Sequence, residues 1–260
     1  MSRTAPLSDP IQIRHLSVPR RMRYAVRGNE EDPDEIWFVL HGYGQLAHRF
    51  LRYFADLDDG TRLLVAPEGL HRHYLDHAER KVGASWMTSE DRLTDIDDYV
   101  GWLDRLHARI AGAEPGPRGV GEGGAAVEEG GALVEGRGSP GVGSKTGCGV
   151  PVVTLGFSQG VHTLSRWLAF GRAGMDHVVL WGAPLPPDLE VGEHLARFRG
   201  PRLTLVAGEG DPHFGPDVLA ATEERLAGHG IPFRTIRFPG GHRIDRSVLA
   251  RIADGGPREG

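Results

Sequence analysis

The sequence predicts an α/β protein with a mostly parallel, doubly wound sheet of about eight strands and helices on both faces. Three observations point there. Short apolar, β-branched runs alternate along the chain with segments whose apolar residues recur at helical spacing. Several of the runs are apolar throughout, such as Ile36-Trp37-Phe38-Val39-Leu40, which suits strands buried on both faces. Finally, Pro151 to Phe157 enters Gly156-Phe157-Ser158-Gln159-Gly160, and Val161, Leu164 and Leu168 then repeat at helical spacing, so this stretch reads as strand, sharp turn and helix.

Taken in order, Ile11 to Val18 and Met22 to Val26 are expected as two short edge strands joined at Pro19-Arg20. The run Ile36 to Leu40 is a buried strand ending in His41-Gly42-Tyr43-Gly44, and Ala47, Phe50, Leu51, Phe54 and Leu57 fall on one helical face. Leu63 to Val65 is the next buried strand. Glu68 to Glu90 reads as a long loop, followed by the strongest helical stripe of the chain, Leu93, Ile96, Val100, Leu103, Leu106 and Ile110, with Thr88-x-x-Asp91 as its expected capping box. After the 151–161 unit come strands at His177 to Trp181 and Arg202 to Ala207, separated by a short helix from Leu189 to Phe198. A helix marked by Val218, Leu219, Thr222 and Leu226, a last strand from Phe233 to Phe238, and a closing helix with Ile244, Val248, Leu249 and Ile252 complete the chain.

These elements form one domain, expected over residues 11–253 of the 260, with flexible ends at 1–10 and 254–260. Gly112 to Gly149 interrupts it with a Gly-rich insertion too poor in apolar residues to offset the entropy of ordering, and is expected to be disordered. A net charge of −5, with no compact Lys/Arg block, argues against nucleic acid or an anionic membrane as partner. The single cysteine, Cys148, excludes an intramolecular disulfide framework and a cysteine zinc cluster. The N-terminal stretch carries no apolar signal core, and no apolar run is long enough to span a bilayer, so a soluble, cytoplasmic protein without stable membrane insertion is expected.

The chemistry centres on Ser158. A serine hydroxyl near neutral pH needs a base within reach and an acid that holds the base in one tautomer. His242 follows the last strand in Gly241-His242, and Asp211 follows the strand before it in Gly208-Glu209-Gly210-Asp211. All three residues therefore lie beyond the C-terminal ends of strands, where open α/β sheets place their sites. The backbone N–H groups of Gln159, after the serine, and of Tyr43, after His41-Gly42, are the candidate donors to an oxyanion.

With these residues in place the chain resembles the phospholipase/carboxylesterase branch of the α/β-hydrolases, which includes the acyl-protein thioesterases. Leu40-His41-Gly42-Tyr43-Gly44 is similar to its oxyanion loop and Gly156-Phe157-Ser158-Gln159-Gly160 to its elbow; Ser85-Trp86-Met87 resembles a Ser-Trp-Phe element, and Gly208-x-x-Asp211 and Gly241-His242 extend the match over residues 20 to 253 apart from the insertion. The resemblance implies an α/β-hydrolase fold and a cofactor-free, metal-independent serine hydrolase cleaving carboxylic esters or thioesters through an acyl-enzyme, with Ser158, His242 and Asp211 as its triad. It also implies Trp86, Met87 and Phe214 as substrate-binding residues. Only Gly182 to Gly200 is available where a lid would enter, so no lid domain is expected. Val161 replaces a second glycine after the elbow, Met87 replaces phenylalanine, and Asp211-Pro212-His213-Phe214 departs from the branch's Asp-x-Val-Val, all of which bear on the acyl pocket.

Other readings carry less. In His71-x-His73-x-x-Asp76-His77 the aspartate stands one residue too far along for a metallo-hydrolase ligand set, and a solvated polar loop is the plainer reading. Gly138 to Thr146 resembles a P-loop with an extra serine before Lys145, and Gly119-x-Gly121-x-x-Gly124 follows no strand. Asp217 and Asp245 read as first-turn residues of helices. A non-catalytic ligand-binding protein on the same fold is the alternative from another class, and a small peptidase the alternative bond type. The expected partner is a small ester or thioester substrate, with a homodimer left open.

Overall fold

The computed structural model describes residues 11–112 and 149–255. The Gly-rich insertion from 113 to 148, the two phosphate-loop-like patterns within it, Cys148 and the two chain ends lie outside the described residues.

The main sheet has seven strands: β1 (Tyr24–Gly28), β2 (Glu35–Leu40), β3 (Arg62–Pro67), β6 (Val152–Phe157), β7 (His177–Trp181), β8 (Arg202–Gly208) and β9 (Arg234–Phe238). They lie in the order β1-β3-β2-β6-β7-β8-β9, and all pairs are parallel except β1 with β3. The order runs outward from β2 in both directions, so the sheet is doubly wound with its switch point between β2 and β6.

Successive side chains of a strand point to opposite faces, and both faces here are covered. Phe38 and Leu40 of β2 join one core with Leu103, Leu164, Trp167, Leu180, Leu205 and Leu219. That core is closed by α2 (Arg92–Ala111), α3 (Gln159–Phe170), α4 (Leu195–Arg199) and α5 (Pro216–Gly228). Trp37 and Val39, one residue out of phase, join the second core with Phe50, Phe54, Leu155, Val206, Val248 and Ile252. Its cover is α1 (Ala47–Phe50), the 3₁₀ turn Leu51–Leu57 and α6 (Arg246–Ala253). A strand buried on both faces is apolar at nearly every position, which is why β2 reads as an unbroken apolar run from Ile36 to Leu40 and β6 departs from one only at Thr154, whose hydroxyl bonds the His177 carbonyl.

Four expectations are corrected. Ile11–Val18 forms no strand: Ile11, Ile13, Leu16 and Val18 are exposed, and the segment is held through side chains, with His15 Nε2 2.7 Å from Asp91 Oδ2 and Arg20 donating to the Leu70 carbonyl at 2.6 Å. The main sheet therefore has seven strands, in keeping with the expectation of about eight. Glu68 to Glu90 is not a plain loop, because it contains an antiparallel hairpin of β4 (His71–Asp76) and β5 (Lys81–Ser85). Its strands carry His, Arg, Lys and Asp at mostly exposed positions, and so lack the apolar signature of the buried strands. The capping box is absent too: Asp91 is the N-cap residue of α2 at φ 51° with its carboxylate accepting from Thr94 Oγ1, while Thr88 Oγ1 accepts from the Glu90 amide. Leu93, counted on the apolar stripe, is exposed at the start of that helix.

At the switch point α3 crosses β2 and β6 without room for side chains. A Cβ at Gly156 would lie 2.4 Å from the Gly160 carbonyl oxygen, and one at Gly160 would lie 2.3 Å from that of Leu40. We expect Gly156→Ala and Gly160→Ala each to destabilise the protein by about 3 kcal/mol or more, since backbone and not a flexible side chain must give way. Urea unfolding measures this, and a loss under about 0.5 kcal/mol at either position would contradict the contact.

Candidate active site

The site lies at the C-terminal edge of the sheet on either side of the switch point. Ser158 joins β6 to α3 at φ 55° and ψ −120°, a backbone conformation that costs a non-glycine residue about 1–3 kcal/mol. Its amide donates to the Trp181 carbonyl at 2.9 Å, which fixes the turn to the neighbouring strand β7. The turn leaves Ser158 half-exposed at the head of α3.

Asp211 and His242 meet as the order of the strands requires, since β8 and β9 are adjacent and parallel and each residue follows its strand. His242 Nδ1 is 2.7 Å from Asp211 Oδ2. The other carboxylate oxygen, Oδ1, accepts from the amides of His213 at 2.8 Å and Phe214 at 3.1 Å. Asp211 is buried, so its carboxylate is fully engaged: one oxygen on backbone donors, one on the ring. With a carboxylate accepting, Nδ1 carries the hydrogen and Nε2 is left without one. The ring is confined by Phe157, at 4.8 Å between centroids, and by Gly182, where a Cβ would stand 3.3 Å from His242 Nδ1 and 3.4 Å from Asp211 Oδ2. No hydrogen bond joins Ser158 Oγ to His242 among the described residues; such bonds are often long before substrate binds.

Asp217 is exposed in the first turn of α5. Asp245 is the N-cap of α6, its Oδ1 accepting from the Ser247 and Val248 amides at 3.1 and 3.3 Å and its Oδ2 from Arg243 at 3.1 Å. Neither carboxylate is bonded to His242.

The loop after β2 faces the serine closely, a Cβ at Gly42 lying 3.2 Å from Ser158 Cβ. The Gly42 amide donates to Gln45 Oε1 at 2.8 Å, whereas the Tyr43 amide has no acceptor among the described residues. Gln159 is the first residue of α3, where the amide has no partner in the helix's own ladder. His41 is fully buried beneath this loop. Its Nδ1 donates to the Gly42 carbonyl at 2.8 Å, its Nε2 accepts the Gly69 amide at 3.0 Å, and Trp86 stacks on its ring at 5.0 Å.

Of the three residues expected at the substrate, two are buried. Trp86 is fully buried with its indole donating to the His41 carbonyl at 2.9 Å, and so supports the loop from below. Phe214 is buried behind the Asp211 turn, where it lines a cavity of about 220 Å³ with Ala207, Pro216 and Leu219. Met87 alone of the three is partly exposed. The histidine-rich segment is dispersed along the hairpin: His71 Nε2 bonds Asp95 at 2.9 Å, His73 lies against Tyr43 and His77 against Tyr74. Among the described residues no three His, Cys, Asp or Glu side chains are grouped to hold a metal, and no helix is long and apolar enough to cross a membrane.

No protein-family model matches the chain, and no curated protein matches it in sequence. Solved structures do match. The esterase PE8 superposes with a TM-score of 0.63 at 15% identity, over 91% of this chain and 98% of that one. Acyl-protein thioesterase 2 of Zea mays gives 0.58 at 14% identity over 90% and 96%, and a carboxylesterase from Mesorhizobium loti gives 0.57 at 20% identity over 91% and 95%. The chain has the α/β-hydrolase fold.

Within that fold the residues read from sequence motifs, Ser158, Asp211, His242, Tyr43 and Gln159, all stand at one sheet edge. Sequence reasoning missed Gln45, Gly182 and the Gln159 side chain. Gln45, one residue past the His41-Gly42-Tyr43-Gly44 motif, could have been suspected from its place; Gly182 could not, because its role is to lack a side chain where two distant loops meet.

Burial pushes the His41 ring down to about 4, and that of His177, bonded between Thr204 and Arg202, to about 3. In the unfolded chain both protonate near 6.5, so below that pH the unfolded state binds more protons. Stability is therefore full above pH 6.5 and falls as pH drops from there toward about 4 for His41 and about 3 for His177. Urea unfolding between pH 7 and pH 5 is expected to show this loss, with a shallower slope in His177→Gln; a flat profile would contradict the neutral buried rings.

Proposed function

We propose that the protein is a serine hydrolase that cleaves carboxylic esters or thioesters of small molecules through an acyl-enzyme, without metal or cofactor. The observation that carries this reading is the 2.7 Å Asp211–His242 hydrogen bond at the same sheet edge as a serine held at φ 55° on the head of a helix. Esterases, carboxylesterases and an acyl-protein thioesterase sharing the fold add weight to this bond type.

In this reading Ser158 Oγ attacks the substrate carbonyl as His242 Nε2 takes its proton, and the buried Asp211 carboxylate stabilises the imidazolium that results. The carbonyl oxygen becomes an oxyanion, held by the Tyr43 and Gln159 amides and by the positive end of α3. When the tetrahedral intermediate collapses, the C–O or C–S bond breaks and His242 returns the proton to the leaving alcohol or thiol. A water then repeats the sequence on the acyl-Ser158 ester, releasing the acid and restoring the serine. Met87 is the expected contact for the acyl group. The segment between β7 and β8 is too short for a lid domain, which favours soluble esters of short to medium chain. The single cysteine fits a reducing, cytoplasmic setting.

Turnover of p-nitrophenyl esters and acyl thioesters, with a fluorophosphonate probe, tests the reading. Ser158→Ala should lower kcat at least about a thousandfold and abolish labelling while the protein stays folded. Asp211→Asn should lower kcat by roughly three to four orders of magnitude through the wrong His242 tautomer, against less than about tenfold for Asp217→Asn or Asp245→Asn. Near-normal turnover by folded Ser158→Ala would end this reading, and a crippled Asp245→Asn beside a silent Asp211→Asn would move the acid elsewhere.

A further inference from the structure

The two amides assigned to the oxyanion stand on separate substructures. Gln159 opens α3, which is seated on the main sheet, whereas Tyr43 stands on a loop attached to the β4–β5 hairpin. The Gly44 amide donates to the Ala84 carbonyl at 2.8 Å and the Ala84 amide to the Gln45 carbonyl at 3.2 Å, so residues 44 and 45 lie along β5. Gly83 makes this approach possible, since a Cβ there would stand 2.4 Å from the Gly44 oxygen and 2.8 Å from its Cα. Tyr43, one residue earlier, is thus held between the end of β2 and this attachment to β5.

A single side chain joins the exit of β5 to the helix that carries the other donor. Gln159 Oε1 accepts the Trp86 amide at 3.1 Å and Gln159 Nε2 donates to the Met87 carbonyl at 3.2 Å. Trp86 directly follows the last residue of β5 and in turn donates its indole hydrogen to the His41 carbonyl, at the root of the same loop. We infer that the Gln159 side chain is a positioning residue that sets the distance between the Tyr43 and Gln159 amides, with Gly83 as the seat that transmits it. The inference rests on the ester-hydrolase reading above. Satisfying two backbone groups would by itself be a structural duty. What sets this residue apart is that the same residue offers one oxyanion donor from its backbone and steers the other through its side chain, in chemistry where donors must lie about 3 Å from the developing charge.

The test uses Gln159→Met, which keeps length and removes both hydrogen bonds, Gly83→Ala, and the double variant, each checked for folding by thermal melting. We expect each single change to lower kcat by about tenfold to a hundredfold with KM altered less than about threefold, a fraction of what losing one donor outright costs. The affinity of a trifluoromethyl ketone, which forms the oxyanion adduct, should fall in proportion to kcat/KM, and the double variant should lose little more than the worse single one, as two changes to one linkage do. Should Gly83→Ala not fold, Gln159→Met and Gln159→Ala carry the same comparison. Unchanged kcat in Gln159→Met, or a loss of kcat with ketone affinity intact, would overturn the inference while leaving the hydrolase reading standing. A parent protein that neither turns over p-nitrophenyl acetate nor binds the ketone would instead overturn the hydrolase reading and this inference with it.

Discussion

The close crossing of α3 over β2 and β6 is the contact on which the rest of the structure depends. With the Gly160 α-carbon set against the Leu40 carbonyl and Gly156 against Gly160, strand and helix are nearer than any Cβ would allow. The chain must then reverse from β6 into α3 within one residue, and Ser158 takes the positive φ that this requires. The strain is local, while the compensation is spread over two apolar cores, one on each face of the sheet. The same crossing brings the loop after β2 against Ser158, so one steric fact places both the hydroxyl and the loop that faces it.

Polar order at the site follows from burial. Asp211 is tolerated in the interior because both carboxylate oxygens are engaged, and the direction of those bonds leaves His242 one orientation and one tautomer. His41 repeats the pattern beneath the loop that faces Ser158: a neutral buried ring with one nitrogen donating and the other accepting, whose hydrogen bonds hold the backbone of that loop. Asp245, by contrast, spends its carboxylate on the amides of its own helix and on Arg243, which is why proximity in sequence to His242 brings no contact with it.

What could be read in the sequence was whatever leaves a periodic or short-range mark. Strands β2, β6, β7 and β8 are buried on both faces and therefore apolar at nearly every position, and they were placed almost to the residue. Ser158, Asp211 and His242 were legible because each follows a strand near a glycine-bearing turn, Ser158 and Asp211 after the buried β6 and β8 and His242 after the half-buried β9. The hairpin was not, since β4 is polar and mostly exposed, β5 offers only the small residues Gly83, Ala84 and Ser85 as its buried part, and the two are stabilised by each other and by the loop after β2. Ile11–Val18 misled in the opposite way, showing β-branched residues but having no strand beside it to complete a ladder. Trp86 and Phe214 were located by motif, yet which side of the loop an aromatic occupies is a matter of packing.

Glycine explains why local pattern and site geometry part company. Its absence of a side chain carries no periodicity, so Gly83 beneath Gly44, Gly42 beside Ser158 and Gly182 against His242 are indistinguishable in sequence from glycines that meet nothing, such as Gly60. Each marks a point where two segments distant in the chain meet closely, Gly83 against the backbone of Gly44 and the other two against side chains, and none of those distant partners can be named from its neighbours in sequence. Apolar burial decides which strands lie side by side, to within the width of a side chain. Positions finer than that, the ones on which the proposed proton transfer and oxyanion binding rest, are left to these bare α-carbons and to side chains such as Gln159 and Gln45 that bond backbone across the gaps.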